Sequence, residues 1–167
     1  KKHNNDDWYC TYDEKKNIVP IITLSDTNSL GKQNRINLLA SFSLCGLVIK
    51  NISEMREINN YFKIPRHRME EILYKNKLRF VNDSKATNIN ATLFGLDAVS
   101  DPLFLILGGD LKNQELIPLI NNLKKRNVIA YVYGKDKGLF KETFQEHNIE
   151  HFVIKDVKEA VLLIKKH

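Results

Sequence analysis

Cysteine is scarce in this sequence: only Cys10 and Cys45 occur. They lie far apart and neither belongs to a Cys-x-x-Cys pair, which excludes a disulfide-stapled scaffold and leaves two free thiols in a reducing compartment as the expectation. Long apolar runs are missing too. No stretch approaches the roughly 20 residues that cross a bilayer, and the polar segment 1–7 has no apolar stretch behind it, so no membrane anchor and no signal peptide is expected. The histidines, at 3, 67, 147, 151 and 167, are scattered. His147 and His151 are four apart, but an expected helix-to-strand turn separates them, so no metal site is assigned. No Ser-His-Asp or Cys-His spacing stands out, and there is no internal repeat or low-complexity tract.

What is present suits a globular fold. The chain has 167 residues, 43% of them hydrophobic. That is enough for one ordinary domain with its own core plus part of a second, and it argues against disorder. The first residue is Lys1, not Met, so the sequence is expected to be cut from something longer. The net charge is +6. Basic balance is one signature of nucleic-acid binding. Here the lysines are spread over almost every segment and clusters are short (Lys15-Lys16, Lys124-Lys125-Arg126, Lys165-Lys166). No aromatic-basic interleaving appears, so a solvated surface is expected and no nucleic-acid partner.

Residues 8–12 and 18–22 flank a polar stretch and predict a hairpin-like pair of strands, with Pro20 arguing for an edge position. Apolar residues then recur at Ile36, Leu39, Ala40, Ser43 and Leu47, widened by Leu38, Phe42 and Cys45, which predicts a helix. A second helix is expected over about 53–62 and ends before Pro65. Two strands, 69–74 and 78–81, follow. After them helices at 88–99, 115–125, 139–147 and 157–166 alternate with strands at 103–107, 128–133 and 151–154. That alternation predicts βαβ units and a parallel sheet in an α/β fold. The domain boundary is expected near Pro65.

In open parallel sheets, ligands bind outside the carboxyl ends of the strands. Three successive strand ends carry small polar or charged loops, each with a lysine: 82–88, 108–112 and 134–136. Such a cluster suits an anionic ligand. Each loop alone is ordinary, since Thr87 or Asn88 reads as a helix cap and Gly108-Gly109 as a tight turn. Leu30-Gly31-Lys32-Gln33 hints at a phosphate loop, but no glycine sits five residues before Gly31 and Gln33 replaces the Ser or Thr.

The run Phe80-Val81-Asn82-Asp83-Ser84-Lys85-Ala86-Thr87-Asn88 resembles the opening of the C-terminal domain of the D-glutamate-adding Mur ligases. Its neighbours agree in order and spacing. Pro65-Arg66-His67-Arg68-Met69-Glu70 resembles that family's hinge motif, His-Arg-x-Glu. The stretch from Gly31 to Asn37 resembles a helix start that usually reads Gly-x-His-Asn-x-x-Asn. The stretch from Leu105 to Lys112 resembles the family's strand and Gly-Gly loop. The resemblance implies a Rossmann-like C-terminal domain over 65–167, lacking its last segment, preceded over 1–64 by the incomplete tail of a central ATP-binding domain.

The activity so implied is ATP-dependent ligation of D-glutamate to UDP-N-acetylmuramoyl-L-alanine through an acyl phosphate, with ATP and magnesium, in peptidoglycan synthesis. Lys85 would act catalytically beside the phosphates. Asn37, Arg68, Asp83, His67 and Asn34 would serve the nucleotide, Asp83 at its ribose. Thr87 and Lys112 would bind D-glutamate carboxylates. The protein would be cytoplasmic, monomeric and without a membrane partner. One departure is Gln33, where the family has His; an amide hydrogen-bonds but carries no charge. The phosphate loop, the magnesium ligands, the uridine-binding domain and a closing Ser- and Phe-bearing loop are expected to lie outside this chain, leaving it inactive alone. The competing expectations are a non-catalytic remnant or nucleotide-binding module, and a sister Mur or folylpolyglutamate ligase.

Overall fold

The computed structural model describes residues 2–3, 6–12, 15–23, 32–49, 51, 53–54, 57, 65–75 and 78–166. The chain divides into two compact units, Lys1–Asp83 and Ser84–His167.

In the first unit, β1 (Lys2–His3), β2 (Asp6–Tyr12) and β3 (Ile18–Thr23) form an antiparallel sheet in that order. The expected pair over 8–23 is therefore present. Pro20 lies opposite Cys10, where the register shifts between Tyr9 and Cys10. Among the described strands β3 is an edge, the place where a residue lacking a backbone N–H is tolerated. Helix α1 (Lys32–Cys45) follows. Its buried stripe is narrower than the one expected and follows the residues that widen it. Leu38 and Phe42 are buried, with Leu39 and Cys45 half-buried, whereas Ile36, Ala40, Ser43 and Leu47 are exposed. The core face runs 38, 42, 45, at spacings of four and three. Leu38 and Phe42 close on Ile21 and Ile22 of β3. The helix expected over 53–62 falls mostly outside the described residues. Strands β4 (Glu70–Lys75) and β5 (Leu78–Asn82) complete the unit as an antiparallel hairpin.

The second unit runs α2 (Ile89–Leu96), β6 (Leu103–Gly108), α3 (Ile117–Leu123), β7 (Val128–Tyr133), α4 (Lys137–Glu146), β8 (His151–Val153) and α5 (Val157–Ile164). Its sheet is parallel, in the order β6-β7-β8, with Leu103 opposite Val128 and Ala130 opposite His151. The expected alternation is borne out, and the architecture is a Rossmann-like α/β arrangement. Parallel neighbours require a crossover, and α3 and α4 supply the two needed here. β7 is central, and Ala130, Tyr131 and Val132 are fully buried. Ala130 and Val132 pack with Leu119, Ile120 and Leu123 of α3 and with Phe144 of α4. Burying side chains of this size contributes about 1.5–3 kcal/mol each. Alternation along the strand sends Tyr131 the other way, between Phe104 and Phe152, whose rings lie 6.5 and 5.5 Å from it.

One sequence expectation is corrected. Sequence spacing puts the strand at 78–81 among three successive strand ends of one sheet; the structure has it as β5. Its described ladder is the antiparallel one with β4, and the parallel sheet begins with β6. A periodicity of two marks a strand but does not name its partner, so the alternating pattern could not separate a hairpin strand from a βαβ strand.

Candidate functional site

The hinge-like segment of the first unit is a tight turn held by its own polar side chains. Arg68 N donates to Pro65 O at 3.3 Å, and His67 and Met69 have φ of 66° and 48°, left-handed values that non-glycine residues seldom adopt. Glu70 answers this strain. Its Oε2 accepts from His67 N at 2.8 Å, and its Oε1 lies 3.7 Å from Arg66 Nε. The His67 ring meets the Asn82 side chain at 2.7 Å through Nδ1. Met69 is buried and its amide donates to Asp83 Oδ1 at 3.0 Å. Burial raises the Asp83 carboxyl above its ordinary value, against the opposing pull of the Met69 amide and the Arg68 charge. Asp83 Oδ2 has no hydrogen-bond partner among the described residues. Arg68 is exposed. On α1, Asn37 is exposed and its carbonyl accepts from Ser41 Oγ at 2.9 Å. Asn34 lies on the same helix, and its side chain is outside the described set.

In the second unit the carboxyl edge of the parallel sheet is built from two loops. Gly109 and Gly134 have φ of 117° and 87°, and a Cβ on Gly134 would sit 2.6 Å from Gly109 N. Only glycine permits this approach. The contact brings the ends of β6 and β7 together, and polar bonds fasten them. Asp136 N donates to Gly109 O at 3.2 Å, Leu111 N to Asp136 Oδ2 at 2.6 Å, and Lys135 Nζ to Asp110 Oδ2 at 2.9 Å. Asp110 Oδ1 also accepts from Lys112 N at 2.8 Å. The Lys135 ammonium, helped by that amide, holds the Asp110 carboxyl below its usual range, and Asp110 in turn raises Lys135.

Residues 111–114 then make a turn closed by Gln114 N to Leu111 O at 3.0 Å. Both central residues, Lys112 and Asn113, are left-handed, with φ of 51° and 61°. Leu111 is buried beneath them while Lys112 and Asn113 stand exposed at the tip. The last residue reaches a neighbour: Gln114 Oε1 accepts from Ile89 N at 2.8 Å, the first amide of α2. Asn88 is the cap of that helix, its Oδ1 accepting from Ala91 N at 2.8 Å. Thr87 is therefore not needed as a cap. Thr87 is exposed, its hydroxyl has no hydrogen-bond partner among the described residues, and its amide closes a small turn on Lys85 O at 3.0 Å.

Within the second unit, then, the segment bearing Lys85 and Thr87 is joined to the turn bearing Lys112 through Gln114. Of the three loop lysines, Lys135 is engaged by Asp110, while the Lys85 and Lys112 ammonium groups have no hydrogen-bond partner among the described residues. Arg68, His67 and Asp83 share the 65–83 segment of the first unit. Gln114 was missed from sequence because nothing in Lys112-Asn113-Gln114-Glu115 marks one amide as a distant clasp. The structural use of Asp136 has a local signal, a carboxylate immediately before helix α4, but its bond runs back to Leu111. His151 gives its Nδ1 to Ile149 O at 2.8 Å and packs edge-on against Phe144, a structural role. Among the described residues no group of three or more His, Cys, Asp and Glu side chains is placed to hold a metal ion, and no helix is long and apolar enough to cross a membrane.

No family model matches the chain. Curated proteins do. The chain is 28% identical over 144 residues to the UDP-N-acetylmuramoylalanine–D-glutamate ligase of Haemophilus influenzae, covering 83% of this chain and 33% of that protein. It is 29% identical over 158 residues to the protein of the same name from Trichodesmium erythraeum, at 94% and 33% coverage. It is 34% identical over 119 residues to the one from Escherichia coli, at 70% and 27%. The chain thus spans about a third of the length of these relatives.

Proposed function

Because the chain is a relative of the D-glutamate-adding Mur ligases and matches their C-terminal part, we propose that it supplies the D-glutamate side of an ATP-dependent ligase acting on UDP-N-acetylmuramoyl-L-alanine in the cytoplasm. The observation that carries this reading is the turn 111–114, which holds at its exposed tip a lysine whose ammonium has no hydrogen-bond partner among the described residues, while its root is bonded to the helix that follows Thr87. An exposed ammonium and an exposed hydroxyl on adjoining segments suit the carboxylates of a small dicarboxylic amino acid. Lys112 is assigned the charge and Thr87 the hydroxyl hydrogen bond. Lys85, two residues before Thr87, is assigned to the oxygens of the activated carboxyl group, where an ammonium neutralises developing negative charge.

ATP, with magnesium, would supply the phosphoryl group that activates the acid. Asp83, with Oδ2 available, suits its ribose; Arg68, Asn37 and Asn34 are assigned to the nucleotide, and His67 to the form of the 65–70 turn. The magnesium ligands and the phosphate loop are assigned to sequence outside this chain, and residues 1–64 to the tail of a central ATP-binding domain.

The test is Lys112→Ala in the ligase that carries this segment. D-glutamate use is expected to weaken by about 1.5–3 kcal/mol, the range for a lost charged hydrogen bond, with the dependence on the uridine substrate unchanged. An unaltered KM for D-glutamate together with an unaltered rate removes Lys112 from the site.

A further inference from the structure

The turn 111–114 is a bridge fastened at both roots. Its first residue, Leu111, gives its amide to Asp136, and its last, Gln114, takes the amide of Ile89. Neither bond is local: each spans 25 residues. Between them two non-glycine residues hold left-handed backbone, a conformation that persists where the surroundings impose it. At α2, Asn88 satisfies the Ala91 amide, and the Ile89 amide has its acceptor from Gln114 across the gap. Ile89 is two residues from Thr87, and Gln114 is two residues from Lys112.

We propose that Gln114 is a positioning residue: by clasping the start of α2 it fixes the spacing between the Lys112 ammonium and the Thr87 hydroxyl, and so the length of dicarboxylate that the two can hold together. The inference rests on the proposed D-glutamate role of those two residues. Gln114 itself need touch no ligand. Half-buried, it acts through the backbone on either side of it.

The test uses NMR on the 167-residue chain, following hydrogen exchange of the Ile89 amide and the shifts of the Thr87 and Lys112 amides as D-glutamate is added. Gln114→Leu removes the acceptor and is expected to speed Ile89 exchange about tenfold, the factor carried by one hydrogen bond of ordinary strength. The Leu119 and Val132 amides keep their protection. Gln114→Glu retains an acceptor at the same reach and restores slow exchange. In the wild type, Thr87 and Lys112 are expected to respond to D-glutamate with a common midpoint, and in Gln114→Leu the midpoints separate or rise several-fold. If Leu119 and Val132 lose protection in Gln114→Leu, Gln114→Asn, whose amide is one methylene too short for the clasp, makes the same comparison. Unchanged Ile89 exchange overturns the clasp, and a common, unshifted midpoint without it overturns the positioning role. Absence of any D-glutamate response in the wild type overturns the proposed ligand role instead, and the exchange rates still decide the clasp.

Discussion

The two ends of the parallel sheet use charged residues in opposite ways. At the amino edge, where β6 and β7 begin, Arg126 is enclosed. Its Nε meets Asp101 Oδ1 at 2.8 Å, its Nη1 meets Leu96 O at 2.6 Å, and its Nη2 donates to Val99 O. Asp101 Oδ2 accepts in addition from Asn127 N at 3.2 Å. The Arg126 side chain is 14% exposed and each of its three guanidinium nitrogens makes a hydrogen bond. At the carboxyl edge Lys135 also pairs with an aspartate, but its side chain is 72% exposed, and Lys112 nearby stands at the tip of a left-handed turn. An enclosed charge whose three nitrogens are each bonded within the fold is structural. An exposed charge on a strained, fastened turn has capacity left over for a ligand.

The sharpest way to break the contrast is Arg126→Ala. It removes the donor to two carbonyl groups and to Asp101 Oδ1, leaving Asp101 only the Asn127 amide, and the second unit is expected to lose about 2–4 kcal/mol of stability against denaturant. A midpoint equal to the wild type would show that the amino edge is no more structural than the carboxyl edge. Next in size is Gly134→Ala. The new Cβ meets the Gly109 amide and the residue must keep a left-handed φ, so a loss of about 1–3 kcal/mol is expected. The amides of 109–114 should shift in NMR while those of Asp101 and Arg126 stay in place. Equal disturbance at both edges would mean that the loops are not a separate unit.

The smallest effect belongs to Asp110→Asn. Asp110 has a carboxyl lowered from 3.8, so its contribution to stability is present above that value and is lost as pH falls through the lower native one. The gap in thermal stability between wild type and Asp110→Asn is therefore expected to be small at neutral pH and to close on acidification below pH 3.8. Because the pair is exposed, salt should narrow the gap as well. A gap that widened in acid would reverse the assigned direction.

Much of the second unit was legible because its signals are local. A strand such as Val128–Tyr133, apolar at every position, reads as buried on both faces, and helix-length polar-apolar stretches lie between such strands. The stripe of α1 reads too wide from sequence because residues 36–47 offer two overlapping apolar rows, with Leu47 beyond the helix end at Cys45. Only the packing against Ile21 and Ile22 selects Leu38 and Phe42 over Ile36 and Leu47. Thr87 and Asn88 are equally good caps on residue type alone, and the bond from Ala91 N decides for Asn88. The Gly-Gly loop announced a tight turn, yet its partner, Gly134, lies 25 residues on from Gly109.

The order of residues by itself determined which segments are strands and helices, where the chain turns, and that lysines follow strand ends, since each depends on neighbours within a few positions. Tertiary structure alone decided that the strand ending at Asn82 pairs backward in a hairpin, that the Lys135 ammonium is hydrogen-bonded to Asp110, and that Gln114 joins the turn to the second unit's first helix. Those outcomes depend on which distant groups meet, and the free energy of a hydrogen bond or ion pair is set by the partner and its burial rather than by the residue type.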